Sequence, residues 1–227
     1  TITDFKTATI NVNLDANNFS AATYDDSAIA ALTASADNTN VTINAGSNGV
    51  TLSGTTTTGT GALSINSDAA VGLGTAAITA SAFTHTGSGA VTHTALNTTN
   101  LKTYTTGSGN DAVTISNTGG DLTLNTGAGN DNITITAATT TAKTYSITGG
   151  DGADKLIIDG GGNGSDIDLS SGTSAITLSG IETLYFNEDD GDNAVGVTVK
   201  GDILNNAAMI LDQEAAADVL TLTVALG

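Results

Sequence analysis

The sequence TGSGNDAVTI at residues 106–115 recurs as TGAGNDNITI at 126–135 and as GGDGADKLII at 149–158. Each copy reads as a glycine-rich turn, then a carboxylate, then a short strand in which apolar and polar residues alternate. The copies begin 20 and 23 residues apart. A regular interval of this length is typical of repeat proteins, in which each copy forms one structural unit and stacks on the next.

Each copy places an aspartate where the turn becomes a strand, at Asp111, Asp131 and Asp154. If the strands stack in parallel, about 4.8 Å apart, each carboxylate lies close to the next one. Like charges at that distance repel unless something neutralises them, and Ca²⁺ suits the place because it accepts carboxylates and backbone carbonyls in irregular geometry. The alternative is a plain turn, since Gly, Asn and Asp are common turn residues. Three copies in register favour calcium.

The turns also share two glycines, at the second and fourth positions of each copy. Glycine permits positive φ angles and therefore a tight turn in which backbone carbonyls converge. These glycines are Gly107, Gly109, Gly127, Gly129, Gly150 and Gly152.

The run GGDGADKLI at 149–157 matches the nine-residue pattern of calcium-binding RTX repeats at every defined position. The other two copies differ only in having Thr106 and Thr126 for the first glycine. Over about 50 residues the chain therefore resembles RTX proteins, in which carbonyls and the aspartate of one turn bind Ca²⁺ together with those of a neighbouring turn. The resemblance implies that Ca²⁺ is the cofactor, that the three aspartates are ligands, and that the six glycines and Asp151 line the sites.

The spacing departs from the RTX pattern, which repeats every nine residues and places calcium on both edges of the solenoid. Here we expect one calcium-binding edge and one mostly plain edge. On the plain edge only GGGNGSD at 160–166 resembles a ligand loop, with Asp166 as the candidate, and Asp168 then stands where an apolar residue is expected. Upstream turns such as GSGAV at 87–91 and GSNGV at 46–50 lack the acid, so calcium is expected only in the later turns.

Short strands with alternating apolar residues recur every nine to twelve residues or so between 41 and 186. Two strands and two turns then make one rung of about 20–22 residues, and around seven rungs fit. The predicted fold is all-β, a parallel β-solenoid (β-roll or β-helix) with two strands per rung and a thin aliphatic core.

We divide the chain into 1–40, whose strands join the solenoid, the solenoid itself at 41–186, and 187–227, an acidic loop and the start of a next module. Within the first part, 29–32 fits a short helix or another strand. In the last part, 202–218 has an alanine-rich helical propensity but no apolar stripe.

The composition limits the classes of function. Five Lys and no Arg stand against 23 Asp and Glu, a net charge of −18, so binding to nucleic acid or to anionic membranes is disfavoured. No cysteine is present, which excludes disulfides and thiolate chemistry, and no apolar run is long enough to insert into a bilayer. The first residues show no secretory leader, and the strand-like end leads us to expect a piece of a larger protein.

A second resemblance lies in AITLSGIETLYF at 175–186. Its Gly-Ile-Glu-Thr-Leu run is similar to a phrase repeated in surface-layer proteins of Gram-negative bacteria, the Caulobacter and Campylobacter type. Those proteins are also acidic, cysteine-free, rich in Thr and Ala, and exported by type I secretion with RTX segments. The resemblance implies a secreted structural protein that self-assembles into a calcium-dependent lattice on the cell surface, with a cell-surface glycan as a partner of another domain. The alternative is merely a turn and a strand.

The run NEDDGDN at 187–193 follows. Asp190 and Asp192 are candidate ligands for a further Ca²⁺, although the run lacks the order of an EF-hand loop. A solvated acidic loop is the alternative.

No catalytic motif is visible, and we expect no enzyme activity in this chain. His85 and His93 are expected on the strand surface. Three functions stay open: a surface-layer subunit, a rung domain of an adhesin or ice-binding solenoid, and the calcium-binding RTX module of a secreted hydrolase. The Thr-x-Thr runs do not keep one offset through successive rungs, which counts against ice.

Overall fold

A computed structural model shows the fold, and it describes residues 9–13, 26–29, 32–33, 40–54, 56–57, 61–96, 100–116, 120–136, 144–159, 167–168, 175–188, 195–200, 208–213 and 220–225. Every regular element in these ranges is a β-strand. This part of the chain contains no helix long and apolar enough to cross a membrane.

The strands are short, between two and eight residues long. They are β1 (Thr9–Asn13), β2 (Asp26–Ile29), β3 (Leu32–Thr33), β4 (Asn40–Gly46), β5 (Gly49–Leu52), β6 (Thr56–Thr57), β7 (Ala62–Ser67), β8 (Val71–Gly74), β9 (Ala82–Thr86), β10 (Val91–Leu96), β11 (Thr103–Thr105), β12 (Ala112–Ile115), β13 (Leu122–Ala128), β14 (Asn132–Thr136), β15 (Thr144–Asp151), β16 (Lys155–Asp159), β17 (Ile167–Asp168), β18 (Ala175–Ser179), β19 (Thr183–Glu188), β20 (Val195–Lys200), β21 (Ala208–Gln213) and β22 (Leu220–Ala225).

Two long sheets form the body of the molecule, and the chain alternates between them. The first sheet has the order β1-β4-β7-β9-β11-β13-β15-β18, and the second has the order β2-β5-β8-β10-β12-β14-β16-β19-β21. Neighbouring strands are parallel throughout both sheets. The prediction of a parallel β-solenoid with two strands per rung is confirmed.

The register aligns equivalent residues of the repeat. Val113 of β12 lies beside Ile133 of β14, and Ile133 lies beside Leu156 of β16. The column continues to Leu184 of β19. Because side chains alternate along a strand, one aligned apolar column places every member of it in the core.

The core lies between the two sheets and is mostly aliphatic. Inward residues such as Ile43, Ile65 and Ile135 are almost fully buried. Each aliphatic side chain of this size contributes about 1.5–3 kcal/mol by burial. Three of the aromatic residues whose side chains are described, Phe83, Tyr104 and Tyr145, also lie in the core, where the rings of Phe83 and Tyr104 stack with centroids 4.5 Å apart.

Smaller sheets accompany the solenoid. β17, β20 and β22 form a parallel three-stranded sheet, and β3 pairs with β6. At the N-terminal side β1 and β2 pair with β4 and β5, so these strands extend the long sheets. Within the alanine-rich stretch 202–218, residues 208–213 form β21 and pair with β19.

The two histidines are buried, so the prediction that they lie on the surface is wrong. In β9 and β10 the threonines alternate outward, which turns His85 and His93 into the core. The Nε2 atom of His85 lies 3.0 Å from Ser67 O. The Nε2 and Nδ1 atoms of His93 lie 3.1 Å from Ala76 O and 3.3 Å from Tyr104 Oη. Burial lowers the pKa of His93 to about 4, so this ring is neutral at pH 7.

Glycine is required where the turns stack. The glycines form two columns, one running from Gly107 through Gly127 to Gly150 and the other from Gly109 through Gly129 to Gly152. A Cβ on Gly127 would overlap Gly107 O, and one on Gly129 would overlap Gly109 O. The turns therefore approach one another more closely than any side chain at these positions would permit.

Substituting Gly109 by Ala tests this requirement. A Cβ there would lie 2.6 Å from the backbone of Gly89, whereas at Gly72 it would lie 3.5 Å from the Thr51 side chain, which is ordinary contact. We expect Gly109→Ala to lower the free energy of unfolding by about 2 kcal/mol or more and Gly72→Ala to change it by less than about 0.5 kcal/mol. Thermal unfolding followed by circular dichroism measures both, and equal effects would contradict close turn stacking.

Candidate functional site

The three repeated aspartates lie in one column on one edge of the solenoid. Asp111, Asp131 and Asp154 each directly precede a strand of the second sheet, and the register of those strands places them at equivalent positions. All three side chains are buried, with at most 1% of each exposed. We call the turns 106–111, 126–131 and 149–154, with these residues, the acidic edge.

Each carboxylate accepts a hydrogen bond from the preceding rung. The Oδ1 atom of Asp111 accepts from Val91 N–H at 2.6 Å. The Oδ1 atom of Asp131 accepts from Asp111 N–H at 2.8 Å, and that of Asp154 accepts from Asp131 N–H at 2.9 Å. The aspartates therefore link consecutive rungs through a ladder of bonds between side chain and backbone, and charge makes such bonds strong.

Glu182 extends the ladder, and the sequence reasoning missed it. Its Oε2 atom accepts from Asp154 N–H at 2.7 Å, and Thr183, the next residue, aligns with Lys155. The shorter run Gly-Ile-Glu at 180–182 thus places an acid, which is exposed, at the position equivalent to Asp154. The signal was present as an acid directly before a strand, but an interval of 28 residues and the change from Asp to Glu concealed it.

Asparagines make a second ladder in the opposite direction. The Oδ1 atom of Asn110 accepts from Asn130 N–H at 2.8 Å, and that of Asn130 accepts from Ala153 N–H at 2.9 Å. Each Asn bonds to the following rung, whereas the Asp beside it bonds to the preceding one. The Asn-Asp pair therefore holds its turn in register with both neighbours.

The second oxygen of each repeated aspartate has no hydrogen-bond partner. The Oδ2 atoms of Asp111, Asp131 and Asp154 are buried and unsatisfied. The hydroxyl groups of Thr106 and Thr126 belong to the same turns, but they donate to Thr126 O at 2.9 Å and Gly149 O at 3.1 Å. A buried ionised oxygen without a partner costs free energy, so each of these atoms is a place for a proton or a cation.

The buried acids hold protons more tightly than free aspartate. Desolvation raises the pKa of Asp111 to about 6, against the nearby Thr106 hydroxyl and the hydrogen bond from Val91 N–H, and the charge of Asp131 adds to the rise. Desolvation also raises the pKa values of Asp131 and Asp154. The charges of Asp131, Glu182 and Asp151 raise that of Asp154 further.

The donor set of the acidic edge fits a hard cation. It offers carboxylate, hydroxyl and backbone carbonyl oxygens, which Ca²⁺ prefers, and neither sulfur nor imidazole. The described residues contain no group of three or more His, Cys, Asp or Glu side chains close enough for a metal. Ca²⁺ held by Asp111, Asp131 and Asp154 would therefore need backbone carbonyls as most of its ligands.

The remaining predicted ligands have different placements. The six glycines form the stacked columns described above, which gives them a role in the fold whether or not their carbonyls bind an ion. Asp151 is exposed at the end of β15, and its backbone carbonyl accepts from Gly129 N–H at 2.9 Å. Asp166, Asp190 and Asp192 lie outside the described residues.

The opposite edge differs in exposure. Asp121 is exposed, and its Oδ1 atom accepts from Thr144 N–H of the following rung at 2.9 Å. This hydrogen bond is therefore in contact with solvent, whereas those of the acidic edge are buried.

No protein-family model matches the chain, and no curated protein or solved structure matches it either. The chemistry of the acidic edge is therefore the main guide to function.

Substitutions at Asp131 distinguish the roles of its two carboxylate oxygens, the one that accepts a hydrogen bond and the one that has no partner. Asp131→Ala leaves the buried Asp111 N–H without an acceptor and should lower the free energy of unfolding by about 1–3 kcal/mol. Asp131→Asn keeps an acceptor oxygen and removes the buried charge, so in chelator at pH 7 it should be at least as stable as the parent. Asp121→Ala is the exposed control and should have the smallest effect. Chemical denaturation measures all three, and equal losses for the Ala and Asn variants would argue against the ladder.

The raised pKa of Asp111 predicts how stability depends on pH. Between about pH 4 and pH 6 the folded chain binds more protons at this carboxyl than the unfolded chain, so in chelator stability falls as pH rises through that window. The same slope should be weaker in Asp111→Asn, whose side chain does not titrate. Melting temperatures of the parent and of Asp111→Asn at pH 5 and pH 7.5 measure the two slopes. General charge repulsion affects both proteins alike, so the difference between their slopes reports on Asp111. Identical slopes would show that Asp111 does not carry the effect.

Proposed function

We propose that this chain is a structural subunit of a bacterial surface layer, an extracellular protein whose solenoid is stabilised by Ca²⁺ and which assembles with copies of itself into a two-dimensional lattice. The observation that carries the proposal is the column of buried carboxylates, each with an oxygen that no hydrogen bond satisfies. A fold with such a column at neutral pH is incomplete without a counter-charge.

Calcium is the counter-charge that suits the column best. Among the described residues, the three repeated aspartates have backbone N–H groups and no basic side chain as partners, and Lys155, which begins the strand after Asp154, stands over the Tyr185 ring at 4.4 Å. Asp111, Asp131 and Asp154 would hold the ions together with carbonyls of the stacked turns. Bound Ca²⁺ supplies positive charge that offsets the repulsion along the column and lowers the cost of burying it.

Weak binding would suit an extracellular protein. Few carboxylates are available per ion, and extracellular calcium modules of this kind bind with dissociation constants of about 10⁻⁴–10⁻³ M. Such sites are empty at the low calcium concentration inside a cell and filled outside it. The chain would then complete its folding only after export, which suits the type I route implied by its RTX resemblance.

The distribution of polar side chains supports a structural role. Asn110, Asn130 and the aspartates of the acidic edge bond to neighbouring rungs. The buried His85 and His93 bond to backbone carbonyls. These side chains stabilise the solenoid through hydrogen bonds within it. A lattice subunit must keep its fold under mechanical load, and such bonds suit that role.

A second candidate is the calcium-binding RTX module of a secreted adhesin or hydrolase. The acidic edge would serve it equally well, because the same ions would order a module next to another domain. Electron microscopy of the full-length protein with and without Ca²⁺ distinguishes the two. Sheets that form only with Ca²⁺ support the surface layer, and isolated particles in both conditions support the module.

A calcium titration of this chain tests the proposal directly. With a net charge of −18, copies repel over about 8 Å at physiological salt, and each Ca²⁺ removes two charges. In chelator the chain should be loosely folded and monomeric, and near millimolar Ca²⁺ it should become compact and associate. Circular dichroism and light scattering report the two changes, with Mg²⁺ as the ion control.

Matched variants test which carboxylates bind the Ca²⁺ in this titration. Asp131, the middle ligand, should affect two sites, so Asp131→Asn should shift the calcium midpoint several-fold upward. Asp121→Asn on the opposite edge should leave the midpoint unchanged. If chelator alters neither folding nor association, the calcium proposal fails and only the solenoid is left.

A further inference from the structure

Glu182 continues the column of carboxylates beyond the acidic edge. Its Oε2 atom accepts from Asp154 N–H at 2.7 Å, and the N–H groups of Glu182 and Thr183 both donate to Asp154 O at 3.0 Å. Asp131 accepts from Asp111 N–H in the same way. Glu182 is therefore the next carboxylate after Asp154, but its side chain is exposed, whereas the three aspartates are buried.

The turn 149–154 lacks a hydroxyl that the two earlier turns have. Thr106 and Thr126 stand at the first position of their turns, and each hydroxyl donates to a carbonyl of the next rung, Thr126 O or Gly149 O. The strand register makes Gly180 the residue equivalent to Gly149 in the following rung. Because residue 149 is glycine, Gly180 O receives no such hydroxyl.

Two oxygen atoms face the same point beside Gly149. A Cβ on Gly149 would lie 2.5 Å from Asp154 Oδ2 and would overlap Gly180 O. The Asp154 side chain is fully buried, and its Oδ2 atom has no hydrogen-bond partner. The carboxylate oxygen and the carbonyl oxygen both carry negative charge, so they repel each other unless a proton or a cation joins them.

Negative charge is concentrated at this end of the column. The carboxylates of Asp131, Glu182 and Asp151 lie near enough to Asp154 for their charges to act on it, and for Asp111 the corresponding charge is that of Asp131. Glu182 and Asp151 are exposed. A cation bound here would therefore keep part of its hydration, which lowers the cost of binding relative to a site between two buried aspartates.

We propose that Glu182 is a calcium ligand and that, with Asp154 and Gly180 O, it forms the first site of the column to fill. This inference rests on the proposed calcium binding and identifies where that binding begins. Ca²⁺ takes about six to eight oxygen ligands in irregular geometry, and two carboxylates, a carbonyl and water on the exposed side are of that kind. Sites at Asp111 and Asp131 fill later, because a threonine hydroxyl lies beside each of these buried carboxylates.

The alternative role of Glu182 is structural, as the hydrogen-bond acceptor of Asp154 N–H alone. Glutamine keeps an acceptor oxygen at the same place and removes the charge. Glu182→Gln therefore distinguishes a ligand from a simple acceptor. Asp151→Asn is the matched control, since it removes the same charge from another exposed side chain that acts on Asp154.

Calorimetric titration with Ca²⁺ compares these two variants. Glu182→Gln should match the stability of the parent in chelator, as measured by chemical denaturation, and should weaken the first calcium-binding step about tenfold or more. Asp151→Asn should weaken that step by about threefold or less, as expected for loss of an exposed charge that does not touch the ion.

Further variants test the order of filling. Asp154→Asn should weaken the first step as Glu182→Gln does, whereas Asp111→Asn should leave it unchanged and weaken a later one. Two residues that hold one ion are coupled, so the double variant of Asp154→Asn and Glu182→Gln should lose less affinity than the product of the two single losses. This coupling is measured even if Glu182→Gln also lowers stability.

The outcomes separate this inference from the proposed function. If the parent binds Ca²⁺ but Glu182→Gln shifts the first step no more than Asp151→Asn does, Glu182 is not a ligand, and the inference is overturned while calcium binding stands. The same holds if Asp111→Asn abolishes the first step, because filling then begins elsewhere. If the parent binds no Ca²⁺, the proposed function fails and this inference fails with it.

Discussion

The later rungs of the solenoid depend on the hydrogen bond from a backbone N–H of one rung to a buried carboxylate of the next. This bond fixes how far apart successive turns lie, because Asp131 must reach the amide of Asp111 and Asp154 must reach that of Asp131. The glycines follow from it, since the turns come so close that a Cβ would overlap a carbonyl. Parallel strand register then follows from turns that cannot slide past each other.

The same bond creates the electrostatic problem of the structure. A carboxylate that accepts a hydrogen bond from a backbone amide leaves its second oxygen buried, and stacking repeats that burial in the rungs of Asp111, Asp131 and Asp154. Desolvation and mutual repulsion favour the neutral form of these acids, as their raised pKa values show. If a cation binds there, as proposed, it would offset this charge at neutral pH, and the stability of the later rungs would then depend on the cation concentration around them.

Earlier rungs avoid this conflict by using other residues at the same positions. One rung before the acidic edge, Val91 stands where Asp111 stands later, and His85 stands where Thr106 stands. Valine leaves no charge to neutralise, and the neutral imidazole bonds to Ser67 O. The solenoid thus combines earlier rungs without a buried carboxylate at this position with later rungs whose buried carboxylates leave one oxygen unsatisfied, within one continuous core.

The strand periodicity and the repeated turn were sufficient to predict the solenoid, its parallel register and the alignment of Asp111, Asp131 and Asp154. Alternation determines which side of a strand faces inward, and equal spacing determines which residues stack. The spacing could not reveal that the aspartates are buried and that they accept hydrogen bonds from the preceding rung. The direction of these hydrogen bonds depends on how adjacent turns are shifted relative to each other.

Glu182 and the histidines show the same limit. Glu182 follows an irregular interval, so only the paired strands identify it as equivalent to Asp154. Thr-His-Thr reads as polar on both faces of a strand, and only the closed core shows that the histidine of each is inside. Local pattern determined the strands, their period and the acidic turns of this protein. Tertiary packing alone decided which polar groups were enclosed, because burial depends on neighbours that are about 20 residues away in sequence.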